Sequence, residues 1–174
     1  PHILGSPEWS PDGKLIAVDV WRGNGSNSSI VVLNADGTNF RTVATGGMPS
    51  FSADGKRLVF SGPQGIMTIK IDGTDQQIID SGWGAQWSPD GKWVAYRSSQ
   101  GLCLWNPVTK KSKTLFPAQE VYPYWNLGWS HDSQAIAFKG RVRGNNQASL
   151  CVAELGDPPQ LKILRENLGD LLNE

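Results

Sequence analysis

Few residues of this chain could do chemistry unaided. Its 174 residues include two histidines, His2 and His131, and two cysteines, Cys103 and Cys151. The histidines cannot build a His-rich metal site, and His131 sits inside a turn motif. No G-x-S-x-G nucleophile elbow occurs. Gly23-Asn24-Gly25 lies between extended segments rather than before a helix, so it is not a phosphate cradle. Asp36 with Asn34 and Asn39, and Asp72 with Asp75, offer oxygens to a weakly held Ca²⁺. Their number and spacing fall short of a calcium loop, and plain turns are expected there. No catalytic residue, metal or cofactor is expected, and the chain is read as a non-enzyme.

Recognition chemistry is better supplied. Arginines, aromatics and amides cluster in three irregular stretches: Trp21, Arg22 and Asn24; Glu120, Tyr122, Tyr124 and Trp125; and Arg141, Arg143 and Asn145. Such side chains on loops over a rigid scaffold are the usual material of binding surfaces. The alternative is that they pack against neighbouring structure or are simply solvated.

The elements that must hold these stretches are set by a repeat. Trp87 to Tyr96 reads W-S-P-D-G-K-W-V-A-Y. Trp9 to Val18, Phe51 to Phe60 and Trp129 to Phe138 repeat it, with starts 42, 36 and 42 residues apart (9 to 51, 51 to 87, 87 to 129). A period of this size marks a solenoid or a propeller. An aromatic opens each copy, Ser follows, and Asp12, Asp54, Asp90 and Asp132 hold the turn. Pro and Gly in these turns preset or permit the reversal. The next strand is apolar on both faces (Ile16, Ala17, Val18 and their equivalents), so each sheet should be covered on both sides.

Each period offers four strands, A to D. In the first, A ends at Trp9, B is 15–20, C is 30–34 and D is 40–44. B, C and D recur at 57–61, 66–71 and 76–79; at 93–98, 102–106 and 112–116; and at 135–139, 149–154 and 160–164. The A–B and C–D turns share one rim. The B–C and D–A loops share the other, which carries the irregular stretches: 21–28, 117–127 and 140–147. Residues 166–174 match no strand.

W-S-P-D-G-K before an apolar strand resembles the repeat of TolB-type β-propellers, a WD-like family with a Pro-Asp signature. Asn34-Ala35-Asp36-Gly37-Thr38-Asn39 also resembles a turn of that family. The match covers about residues 5–165. Departures are Ala53 for Pro, and His131, Ser133 and Gln134 in the fourth copy, which should weaken that turn. The resemblance implies an all-β propeller of four-stranded antiparallel blades, at about 5–46, 47–82, 83–123 and 124–165, with 166–174 a tail or connector. Related propellers carry more blades, and no strand is left over to complete a blade from the opposite terminus. An incomplete ring is therefore expected: part of a longer protein, or a half closed by a second copy.

Composition adds exclusions. The 16 Lys+Arg balance 16 Asp+Glu, which points to neither nucleic acid nor an anionic membrane as partner. No apolar run could span a bilayer, and no secretory leader is read at Pro1. Cys103 and Cys151 align with Val31 and Met67 in an apolar column, so two free, buried thiols are expected. Glu8, Ser50, Gln86 and Gly128, each just before the opening aromatic, do not form a convergent catalytic set. The expected function is a non-catalytic scaffold whose B–C/D–A rim binds a protein or peptide, and self-association is a further expectation. An accessory substrate-gating propeller of a prolyl-oligopeptidase-like hydrolase is the alternative. The resemblance implies a bacterial periplasm or cell surface.

Overall fold

The computed structural model describes residues 2–22, 28–124, 126–145 and 147–166, the side chains of His2 and Arg22 excepted. Every regular element among them is a strand, and the strands form four antiparallel sheets. The first sheet runs β1 (His2–Trp9), β2 (Leu15–Arg22), β3 (Ser29–Asn34), β4 (Arg41–Thr45). The second runs β5 (Gly47–Phe51), β6 (Arg57–Gly62), β7 (Gly65–Lys70), β8 (Gln77–Asp80). The third contains β9 (Trp83–Trp87), β10 (Val94–Ser98), β11 (Gly101–Asn106) and β12 (Lys111–Pro117). In the fourth, β13 (Val121–Pro123) and β14 (Gly128–Trp129) both pair with β15 (Ala135–Val142). β16 (Ala148–Glu154) and β17 (Gln160–Arg165) complete it. Each sheet is one expected blade.

The repeated motif is a hydrogen-bonded device. Ser10 Oγ donates to Asp12 Oδ1 (2.7 Å) and accepts from Leu15 N (2.9 Å). Ser52, Ser88 and Ser130 repeat both bonds, with Asp54 and Arg57 N, Asp90 and Trp93 N, and Asp132 and Ala135 N. The Asp then accepts the N–H two residues on, as Asp12 does from Lys14 N (3.1 Å). Gly13, Gly55 and Gly91 close the turn at φ near +70° (69°, 68° and 71°), and Ser133 takes the same role at 61°. The expected weakening of the fourth turn is therefore local. Ser133 bears a left-handed backbone that disfavours a side chain, yet its buried Oγ accepts from Asp90 N at 3.0 Å.

The chain divides into two compact units, Pro1–Trp87 and Ser88–Glu174, with the border inside the third sheet after β9. Each has its own core. Ala17, Ile30 and Val32 of the first sheet pack with Phe51, Leu58 and Phe60 of the second. In the other unit, Ala95, Leu102 and Leu104 of the third sheet pack with Ile136, Phe138 and Cys151 of the fourth. Burial of one such side chain stabilises by about 1.5–3 kcal/mol. Cys103 and Cys151 are free and buried, and burial pushes the Cys151 thiol up from its usual value.

β6 and β7 of the second sheet are buried on both faces, as expected, but β15 and β16 of the fourth alternate buried and exposed. Two boundaries also differ from the sequence reading. Val121–Pro123 is a strand of the fourth sheet, pairing with 140–142, and not part of a loop or of the third blade. β2 extends to Arg22 because β1 reaches back to His2, so Trp21 opposes Ile3.

Candidate partner-binding rim

In the second unit, residues expected on separate loops lie together at the end of the fourth blade. β15 runs past Lys139 to Val142, and β13 lies alongside it, with Tyr122 directly opposite Arg141. Both are strand residues rather than loop residues, because a second short segment of the connection finds ladder partners on β15. Arg143 N donates to Glu120 O (2.8 Å), which ties the two turn ends together. Asn145 shapes the turn that follows. It donates from its N to Val142 O (3.0 Å), accepts from Gln147 N (2.9 Å), and donates to Ser149 Oγ (3.3 Å). Half-buried Tyr124 donates its N–H to Lys139 O (2.9 Å).

Arg97 completes this cluster from β10 of the third blade. Its Nη1 donates to Tyr122 Oη (2.8 Å), and its guanidinium lies 5.5 Å from the Tyr122 ring centre. Its Nε is buried and has no hydrogen-bond partner among the described residues. Arg141, Arg143 and Glu120 are exposed. Among the described residues, no ion pair involves Arg97, Arg141 or Arg143. A fixed guanidinium on an aromatic face beside two exposed arginines suits carboxylates, which match the guanidinium fork.

In the first unit, Trp21 is half exposed and donates its indole N–H to Asp19, which is buried. Asn24, the Arg22 side chain and Trp125 lie outside the described residues. The inner strands β1, β5 and β9 carry a polar relay. Glu8 Oε1 accepts from Phe51 N (3.0 Å) and Ser50 Oγ (3.2 Å), and Ser50 Oγ accepts from Trp87 N (3.1 Å). Burial pushes the Glu8 carboxyl up to about 7, the two hydrogen bonds only partly opposing it. These bonds link the first strands of three successive sheets, and the relay reads as a blade-to-blade fastener.

The opposite rim offers a groove of ≈ 330 Å³ lined by Ser10, Asp12, Ala53, Asp54 and Ile71. Asp12 and Asp54 already accept the bonds that hold their turns, and the motif serines donate to them. Asp36 and Asp72 likewise accept from Thr38 and Thr74, and Asp75 pairs with Arg57 at 2.7 Å. No cluster of metal-ligating side chains occurs among the described residues.

Arg97, Asp19 and Glu8 were not singled out as binding residues in the sequence. Their signal was present: Asp19, Ser61, Arg97 and Lys139 share one column of the repeat but not one chemistry. Non-repeating residues inside repeating strands deserve the scrutiny given to loops.

No protein-family model and no curated protein matches this chain. Solved structures do. TolB from Acinetobacter baumannii superposes with a TM-score of 0.77 at 20% identity, over 95% of this chain and 44% of that one. The fold is that of TolB-type β-propellers. A putative TolB from Agrobacterium tumefaciens gives 0.68 at 15% identity, over 94% of this chain and 81% of that one. The β-propeller domain of the Trilobed protease from Pyrococcus furiosus gives 0.62 at 13%, over 96% and 58%. This chain thus spans under half of the first TolB structure, and propeller blades are common to all three.

Proposed function

We propose that this chain is a non-catalytic propeller scaffold that holds a protein or peptide partner at the B–C/D–A rim of its fourth blade. The observation that carries the proposal is the Arg97–Tyr122 pair flanked by exposed Arg141 and Arg143. These residues break the repeat, while the motif residues of the opposite rim are consumed in forming turns. The partner segment bears carboxylates, which the arginines engage in pairs of charge-assisted bonds. Panning a displayed random-peptide library on the wild type, with counter-selection on Arg141→Ala/Arg143→Ala, tests this. Acidic peptides specific for the wild type are expected. Peptides that bind both proteins equally would remove the rim from the proposal.

A second reading is an accessory propeller that gates substrate to a hydrolase. It is favoured by the likeness to the propeller domain of a protease. An α/β-hydrolase region in the same gene would decide for it. By resemblance to TolB-type proteins, the scaffold works in a bacterial periplasm or at a cell surface. Among the described residues, no helix is long and apolar enough to cross a membrane.

A further inference from the structure

Two columns of the repeat join one blade to the next within each unit, and both are exposed on the fourth. The first is apolar. Ala17 and Ile30 are 0% exposed beneath Phe51 and Leu58 of the next blade, and Ala95 and Leu102 are 0% exposed beneath Ile136 and Phe138. Their equivalents on the fourth blade, Ala137 and Leu150, are exposed, Leu150 by 36%. The second column is polar. Asp19 accepts from Met48 N (3.3 Å), Ser61 accepts from Gly84 N (2.9 Å), and Arg97 donates to Tyr122 Oη (2.8 Å). Each bond lands on the inner strand of the following blade. Lys139 holds that position in the fourth blade, and it is exposed with no side-chain bond among the described residues.

The chemistry that covers these columns is therefore written in the molecule: an inner strand that brings an aromatic side chain and free polar groups. Phe51 does this for the first blade and is 4% exposed. Trp9, its equivalent on β1, is 58% exposed, beside Ile3 at 60% and Leu4 at 68%.

We propose that the Ala137–Leu150 face of the fourth blade receives β1 of a second copy of this chain, with Trp9 as the anchor. The contact is heterologous, joining two different patches, so a pair closes only by making it twice. Exposed aromatic anchors entering apolar faces are the usual hot spots of such contacts.

Sedimentation equilibrium of the full chain over a concentration series tests this. The wild type is expected to reach twice the monomer mass or more. Leu150→Glu and Trp9→Ala should each abolish association while leaving the far-ultraviolet circular dichroism unchanged. An equimolar mixture of the two variants should regain a heterodimer held by one of the two contacts, weaker than the wild-type pair, because one copy keeps its receiving face and the other its Trp9. A wild type that stays monomeric throughout would overturn the proposal. Association unaffected by either substitution would overturn it as well.

Discussion

Ser88 shows how much of this fold is decided by single side chains. It is 1% exposed, donates to Asp90 and accepts from Trp93 N at 3.0 Å. Ser88→Ala leaves that N–H without its acceptor, at a cost of about 1–3 kcal/mol. The drop should appear in the urea midpoint with the slope unchanged. Glu8 gives the residue scale a pH signature. Its carboxyl titrates at about 7 in the fold against 4.5 for the ordinary group, chiefly because it is buried. Between those values the folded state binds more protons than the unfolded state, so stability falls as pH rises through that window. Glu8→Gln can keep an oxygen acceptor for Phe51 N without the charge. The variant should lose this slope and exceed the wild type in urea midpoint at pH 7.5. The turn aspartates act in the opposite sense. Serine hydroxyls and then backbone N–H groups hold Asp12 and Asp132 below 3.8, so their contribution is present above that value and fades as pH falls below it. The Ser-x-Asp pattern was legible in the sequence as a repeating column, but its bonding was not. Glu8 was read only as the lack of a catalytic set, because burial by the neighbouring blade cannot be seen along one strand.

At the scale of elements, the B–C hairpins divide the blades. In the second and third blades they are two-residue turns, Pro63-Gln64 and Ser99-Gln100, ended by Gly65 and Gly101 at φ of 113° and 119°. A Cβ on Gly101 would lie 2.2 Å from Phe116 O, whereas one on Gly144 in the fourth-blade turn would meet nothing within 4 Å. Gly101→Ala therefore combines backbone strain, about 1–3 kcal/mol, with a clash against a neighbouring strand. Gly144→Ala bears the strain alone. Thermal melts should show a clearly larger fall for Gly101→Ala, and equal falls would contradict the tight hairpin. Most strands were legible because turn residues punctuate alternating apolar runs. β13 was not. Val121-Tyr122-Pro123 is three residues long, and Pro123 at its end argues against a strand from sequence alone. Its pairing is secured by β15, which runs four residues beyond the apolar motif and pairs with it at 140–142.

At the scale of the molecule, the repeat supplies the scaffold, and the side chains of the proposed rim interrupt it. The two cores hold the repeating apolar columns, while Arg97, Tyr122, Arg141 and Arg143 gather where the fourth blade departs from its siblings. Repeat identity was legible because it is a comparison of the chain with itself. The rim's assembly was not, because it depends on which segment pairs with the extended end of β15. The most direct measurement is the affinity of a selected acidic peptide for the wild type and for Arg141→Ala/Arg143→Ala, at low and high salt. Binding at the rim predicts weakening of about tenfold or more in the variant, about 1.4 kcal/mol. It also predicts a shallower salt dependence than the wild type shows. Equal affinities at both salt concentrations would contradict it.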